Sequence, residues 1–262
     1  MKGTPANEKI FWDSRARTYP LPFAPGNAVK TGRIVRLLGR MGVSFSGKRL
    51  LDIGCGTGVY ALPLAAAASS VLGVDSSRAM LAVYRRQCRE RGIKNAACVR
   101  AAWDELPGAA VTGKFDIALA SMTMAVKTRT DVLKMEAAAG TCVYIGWDGI
   151  RKNELLEEVY RAHGLEYKAP DGAPRLLKVL RALGRRFTVK RISDSWEKAC
   201  PPREALREIA INMKVNGVKL RRGEVEEMLK KRARGGIVRQ RTTVRKALIT
   251  WQAPRPAAKK AL

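Results

Sequence analysis

Three glycines spaced two apart, preceded by one acid and followed by another, are the residues of this chain best placed to do chemistry. They lie in Leu50-Leu51-Asp52-Ile53-Gly54-Cys55-Gly56-Thr57-Gly58, with Val71-Leu72-Gly73-Val74-Asp75 a short distance on. Glycine has no Cβ, so Gly54, Gly56 and Gly58 permit a tight turn and let a ligand approach the backbone. An apolar strand enters the turn, a helix follows, and a second apolar strand ends on Asp75. That is the layout of a nucleoside-type site, in which the strand-terminal acid accepts hydrogen bonds from ribose hydroxyls.

The details separate the ligands that use this layout. A pyrophosphate needs free amides at a helix N-terminus and a third glycine one position later than Gly58. An acid beside the turn, Asp52, repels a pyrophosphate and suits a cation. This points away from NAD and towards S-adenosylmethionine, which carries an ammonium and a sulfonium.

At these residues the chain resembles the class I S-adenosylmethionine-dependent methyltransferases, whose first motif is hydrophobic-hydrophobic-D-x-G-x-G-x-G. The resemblance implies that Asp52 lies near the methionine end of the cofactor, with Gly54, Cys55 and Gly56 lining its approach. It implies Asp75 on the ribose and Ser76 opening the turn, 76–80, beside the adenine. Trp103-Asp104-Glu105-Leu106-Pro107 stands where the family's next motif lies, and Ala102 replaces a usual aspartate. Adenine recognition then falls to the backbone at Ala102 and Trp103, with the indole packing on the base. Ser121 ends a strand bordering the methyl group. The opening 11–19 is similar to the family's W-D-x-x-A-x-x-Y cap and places Trp12 and Tyr19 over the cofactor.

Methyl transfer needs orientation more than a dedicated base, because the sulfonium already activates the carbon. No catalytic residue is assigned. His163, the one histidine, reads as a helix-end residue, and Cys55 as packing. Ser121-Met122-Thr123-Met124 lacks the Asn/Asp-Pro-Pro-aromatic motif of nucleic-acid amino methyltransferases. Met122 and Met124 suit an apolar pocket or the core. Trp147 and Trp196 suit either the acceptor site or the small core of the insertion.

Composition narrows the setting. In 262 residues, 46% hydrophobic and 28% charged, there is no apolar run near 18 residues and no secretory leader in residues 1–10. Five scattered cysteines and one histidine predict neither disulfides nor a metal site, and a reducing cytoplasm. The net charge of +27 is uneven: residues 1–150 hold 21 basic and 11 acidic side chains, residues 151–262 hold 29 and 12. Such a field attracts polyanions, though compositional bias gives the same count. The tract 214–246 has twelve Lys/Arg against three Glu but no aromatic for base stacking. A helix at 175–186, leucine on one face and basic on another, suits solvent or peripheral contact with an anionic membrane.

Short apolar runs at 49–53, 71–75, 96–100, 115–120 and 141–147 alternate with helices at 27–42, 60–68, 77–91 and 130–139. This predicts an α/β fold: a doubly wound, mainly parallel, Rossmann-like methyltransferase sheet with a helical insertion after the fifth strand. Helices at 152–163, 203–213 and 224–233 and strands at 187–192 and 245–252 follow. The expected division is 1–44 for the cap helices, 45–150 for the cofactor core, 151–235 for a substrate lid and sixth strand, and 236–262 for the final strand and basic tail. The first reading is methyl transfer to a small-molecule acceptor. RNA methylation, or cofactor and RNA binding without catalysis, stand as alternatives.

Overall fold

A computed structural model describes residues 12–169 and 171–254, so Phe11 of the cap motif and most of the basic tail lie outside the described residues. A seven-stranded sheet has the order β3-β2-β1-β4-β5-β7-β6. Its strands are β1 (Arg49–Ile53), β2 (Ser70–Asp75), β3 (Ala96–Arg100), β4 (Phe115–Ser121), β5 (Ala139–Lys152), β6 (Phe187–Cys200) and β7 (Val238–Gln252). The first five pair in parallel, while β7 runs antiparallel between β5 and β6. The mainly parallel, doubly wound expectation holds.

Helices cover both faces because the strands are apolar on both. On β1, Leu51 and Ile53 point to one core and Leu50 to the other, as strand alternation requires. One core takes α1 (Pro25–Arg40), α2 (Ala61–Leu64) and α3 (Arg78–Glu90), through Ile34, Leu38, Leu62, Leu81 and Tyr84. The other takes α4 (Arg129–Ala138) and α6 (Gly172–Ala182), through Val132, Met135, Leu176, Leu177 and Leu180. These leucines are at most 3% exposed, so the amphipathic helix cannot lay them in a lipid surface. The membrane-contact expectation for this helix is corrected: its apolar face is core. Arg185 turns inward as well, gripping buried Glu136 through two bonds of 2.8 and 2.9 Å while Trp251 Nε1 donates to the same carboxylate at 3.0 Å.

Two lengths differ from expectation. The helix after the glycine turn stops at Leu64, not Ala68, and Asn95 Nδ2 takes up the carbonyls of Ala65 and Ala68 that follow it. Strands β5, β6 and β7 run 14, 14 and 15 residues, well past the carboxyl edge that β4 reaches at Ser121 beside Ile145. On this projecting arm, α5 (Glu154–Ala162), α7 (Pro202–Val215) and α8 (Arg222–Arg232) build a third core with Leu155, Val159, Ile209 and Leu229. Helices do follow the fifth strand, and two more follow the sixth. Asn153 anchors α5, accepting from Leu156 N and donating to Thr242 Oγ1 and Gln240 Oε1 on β7. No helix among the described residues is long and apolar enough to cross a membrane.

Candidate cofactor and acceptor site

The glycine turn is held by its own neighbours before any ligand arrives. Gly54 and Cys55 donate to Val74 O, and Gly56 N donates to Asp75 Oδ2 at 2.8 Å. Ser77 N donates to Asp75 Oδ1, also at 2.8 Å. Each Asp75 oxygen keeps acceptor capacity for a ligand hydroxyl. Burial raises the Asp75 carboxyl above its ordinary value, with the two backbone bonds working against the rise. Ser76 is half-buried beside it, and Ala101 N donates to Asp75 O, bringing Ala102 to the same end of the sheet.

The amino-terminal segment closes over this turn. Thr57 Oγ1 donates to Pro20 O at 2.8 Å, and Tyr19 Cε1 lies 3.9 Å from where a Gly56 Cβ would stand. Trp12 meets Tyr19 edge to face at 6.0 Å. Asp13, which the sequence reading passed over, accepts from Ser77 Oγ and Ala79 N at the start of α3. Its signal was present: it lies inside the quoted cap motif, and an acid suits a helix N-terminus.

Asp52 has the most telling surroundings. It is 2% exposed, its Oδ1 has no hydrogen-bond partner, and burial, followed by the Asp75 charge, pushes its carboxyl up to about 8. An orphaned buried carboxylate costs free energy that a cationic ligand would offset. Asp52 opens onto a cleft of about 230 Å³ with Gly54, Cys55, Tyr19 and Ser121 in its wall. The donor set therefore fits a ligand with an ammonium at Asp52 and hydroxyls at Asp75.

Trp103 departs from expectation. Its indole is 3% exposed within the core of α4 and α6, donates to Asp131 O at 3.3 Å, and lies under Lys134 Nζ. It cannot stack on a base, and the ring-packing expectation is corrected; only backbone at Ala102 and Trp103 remains available. Cys55 is buried against Gly73 with its thiol pushed up by burial, consistent with packing. His163 has both nitrogens engaged: Nε2 accepts from Arg221 N at 2.9 Å, which leaves Nδ1 to donate to Val159 O at 2.8 Å.

The far wall of the cleft was read from the sequence only in part, at Met122, Trp147 and Trp196. Lys30 and Thr31 of α1, Tyr60, Met122, and Trp147, Asp194, Trp196 and Lys246 of the arm line it. Met122 adopts φ 51°, a left-handed conformation unusual for a side-chain-bearing residue, directly after β4.

With this geometry in hand, comparison with known proteins is informative. Residues 50–141 match the model of a methyltransferase domain. Residues 50–141 therefore carry a methyltransferase domain, on the seven-stranded fold of the class I S-adenosylmethionine-dependent enzymes. S-adenosylmethionine is the cofactor of that family. A ubiquinone biosynthesis O-methyltransferase from Bordetella parapertussis is 34% identical over 84 residues, 32% of this chain and 32% of that protein. A 23S rRNA (uracil-C5)-methyltransferase from Aeromonas salmonicida is 36% identical over 87 residues, 31% of this chain and 20% of that protein. The chain thus aligns with about a third of the length of the first and a fifth of the second. Among solved structures, Haemonchus contortus phosphoethanolamine N-methyltransferase 2, in complex with phosphomonomethylethanolamine and S-adenosylhomocysteine, superposes with a TM-score of 0.55 at 18% identity. That match covers 97% of this chain and 62% of the other, and shows the fold of the methyltransferase domain and its arm.

Proposed function

We propose that the protein transfers the methyl group of S-adenosylmethionine to a small-molecule acceptor bound in the cleft at the carboxyl ends of β1 and β4. The observation that carries this reading is the continuity of that cleft, from orphaned Asp52 at one end to Trp147 and Trp196 at the other. When bound, the cofactor supplies an electrophilic methyl on a sulfonium. The chain's part is positioning: Asp52 takes the ammonium, Asp75 the ribose hydroxyls, and backbone at Ala102 and Trp103 the adenine. Trp12 and Tyr19 close the cap, with Gly54, Cys55, Gly56, Ser76 and Ser121 along the cofactor's path. Orientation and exclusion of water are what such a site contributes to an in-line displacement.

RNA methylation is the second reading, favoured by the net charge of +27 and the rRNA-modifying relative. Radiolabelled methyl from S-adenosylmethionine, incubated with protein and cell lysate and fractionated into RNA, protein and small molecules, separates the two. Label among small molecules is expected. Label in RNA, with affinity falling steeply as salt rises, overturns the first reading in favour of the second. Cofactor affinity without any transfer leaves a binding protein.

A further inference from the structure

The acceptor end of the cleft has a chemistry of its own, set by strand register. Trp147 pairs with Lys246 and Lys246 with Ile192 across β5, β7 and β6. Alternate residues share a face, so Asp194 and Trp196 follow Ile192 onto the side that α1 covers. There Asp194 Oδ2 lies 3.0 Å from Lys246 Nζ and 3.8 Å from Lys30 Nζ of α1. Two ammonium groups share one carboxylate, which leaves this end with a surplus positive charge. Lys246, its side chain only 15% exposed, also stands over the Trp147 ring at 5.7 Å. Neither tryptophan belongs to the core of the arm's helices, and Trp196 is 36% exposed with its ring at the cleft wall.

We propose that the methyl acceptor is a planar aromatic acid, its ring against Trp147 and Trp196 and its anionic group on Lys246 and Lys30. This rests on the methyltransferase reading above. A partly desolvated ammonium beside two indoles favours a flat anion: the rings offer apolar area and the lysines a charge-assisted bond. A cationic amine of the same size meets like charge. The cleft of about 230 Å³ runs from Asp52 to these tryptophans, and the ring takes the end lined by Trp147, Trp196 and Lys246.

Isothermal titration of the protein saturated with S-adenosylhomocysteine tests this with three para-substituted phenols of similar size: planar 4-hydroxybenzoate and 4-hydroxybenzamide, matched in shape, and cationic tyramine. The acid is expected to bind at least about tenfold more tightly than the amide, as a charge-assisted bond gives, with tyramine weakest. Lys246→Met should erase the acid–amide difference, Lys30→Gln should reduce it, and Asp194→Asn, which frees both ammonium groups, should widen it. S-adenosylhomocysteine affinity should stay the same in all three variants, which separates a change at the acceptor end from general damage. Equal binding of acid and amide, an acid preference that survives Lys246→Met, or no binding of the acid at millimolar concentration would overturn the proposal. Should S-adenosylhomocysteine itself fail to bind, the methyltransferase reading falls, and the same titrations on the free protein still decide the acid preference.

Discussion

Binding of S-adenosylhomocysteine should tighten about ninefold between pH 6 and pH 7 and should release about 0.9 proton at pH 7. The magnitude comes from Asp52, fully buried on β1 with Oδ1 unpartnered and its carboxyl pushed up to about 8. At that value roughly nine in ten free molecules carry the proton at pH 7. An ammonium brought to Asp52 favours the carboxylate, so the proton must leave as the ligand enters. Isothermal titration in phosphate and in imidazole, whose ionisation enthalpies differ, counts the protons directly. Asp52→Asn should exchange none and bind with equal affinity at both pH values. The same group tilts the folding equilibrium. Its folded value lies above the ordinary 3.8, so the folded state holds the proton more tightly. Stability of the ligand-free protein should therefore fall as pH rises from about 4 to about 8, by up to about 1.4 kcal/mol per pH unit. Wild-type binding with no buffer-dependent heat and no change between pH 6 and 7 would refute this reasoning, since Asp52 would then be ionised already or turned away from the ligand.

Asp75→Ala should weaken S-adenosylhomocysteine binding by about 1.5–3 kcal/mol, the range for a hydrogen bond to a charged group, and calorimetry giving an unchanged dissociation constant would remove Asp75 from the site. Gly54→Ala and Gly56→Ala should fail differently. At Gly54 (φ +70°) a Cβ would collide with Thr123 Oγ1, so thermal melting should register a loss of about 2–5 kcal/mol, combining left-handed strain with overpacking. At Gly56 the nearest atom is 3.9 Å away, so the fold should lose only roughly 1–2 kcal/mol while cofactor affinity drops. Arg185→Met strands buried Glu136 with Trp251 alone and should cost about 3–5 kcal/mol in urea unfolding, partly recovered by Arg185→Lys.

The cofactor half of the molecule was legible because it is contiguous. Strands β1, β2 and β4 are largely buried and β3 lies half-exposed at the sheet edge, yet each is a short apolar run bounded by turns, and the observed limits agree to within a residue. The outer halves of β5, β6 and β7 were invisible for the opposite reason. Arg151, Ser193, Ser195, Arg239 and Arg241 fell outside every expected element and Lys152 opened an expected helix; only pairing between strands makes them sheet. The far wall of the cleft was legible only at Met122, Trp147 and Trp196, since Lys30, Asp194 and Lys246 are scattered along the chain and meet only through register and the placement of α1. Trp103 misled because an aromatic next to a motif position invites a stacking role, whereas its surroundings belong to α4.

The placement of β7 also bears on how the protein is made. It is the last strand among the described residues, yet it sits between β5 and β6 and is the only strand β6 pairs with. During translation the nascent chain can assemble the glycine turn and its parallel strands early. Strand β6, however, must wait through α7 and α8 for residues 238–252 to emerge, roughly 3–10 s at usual elongation rates. Over that interval two long strands offer open edges, the condition in which chains pair with the wrong neighbour. A product released in this window could form the glycine turn but would lack Lys246 and the strand that joins Asp194 and Trp196 to Trp147, and shielding those edges is the task such an order of assembly sets for a chaperone.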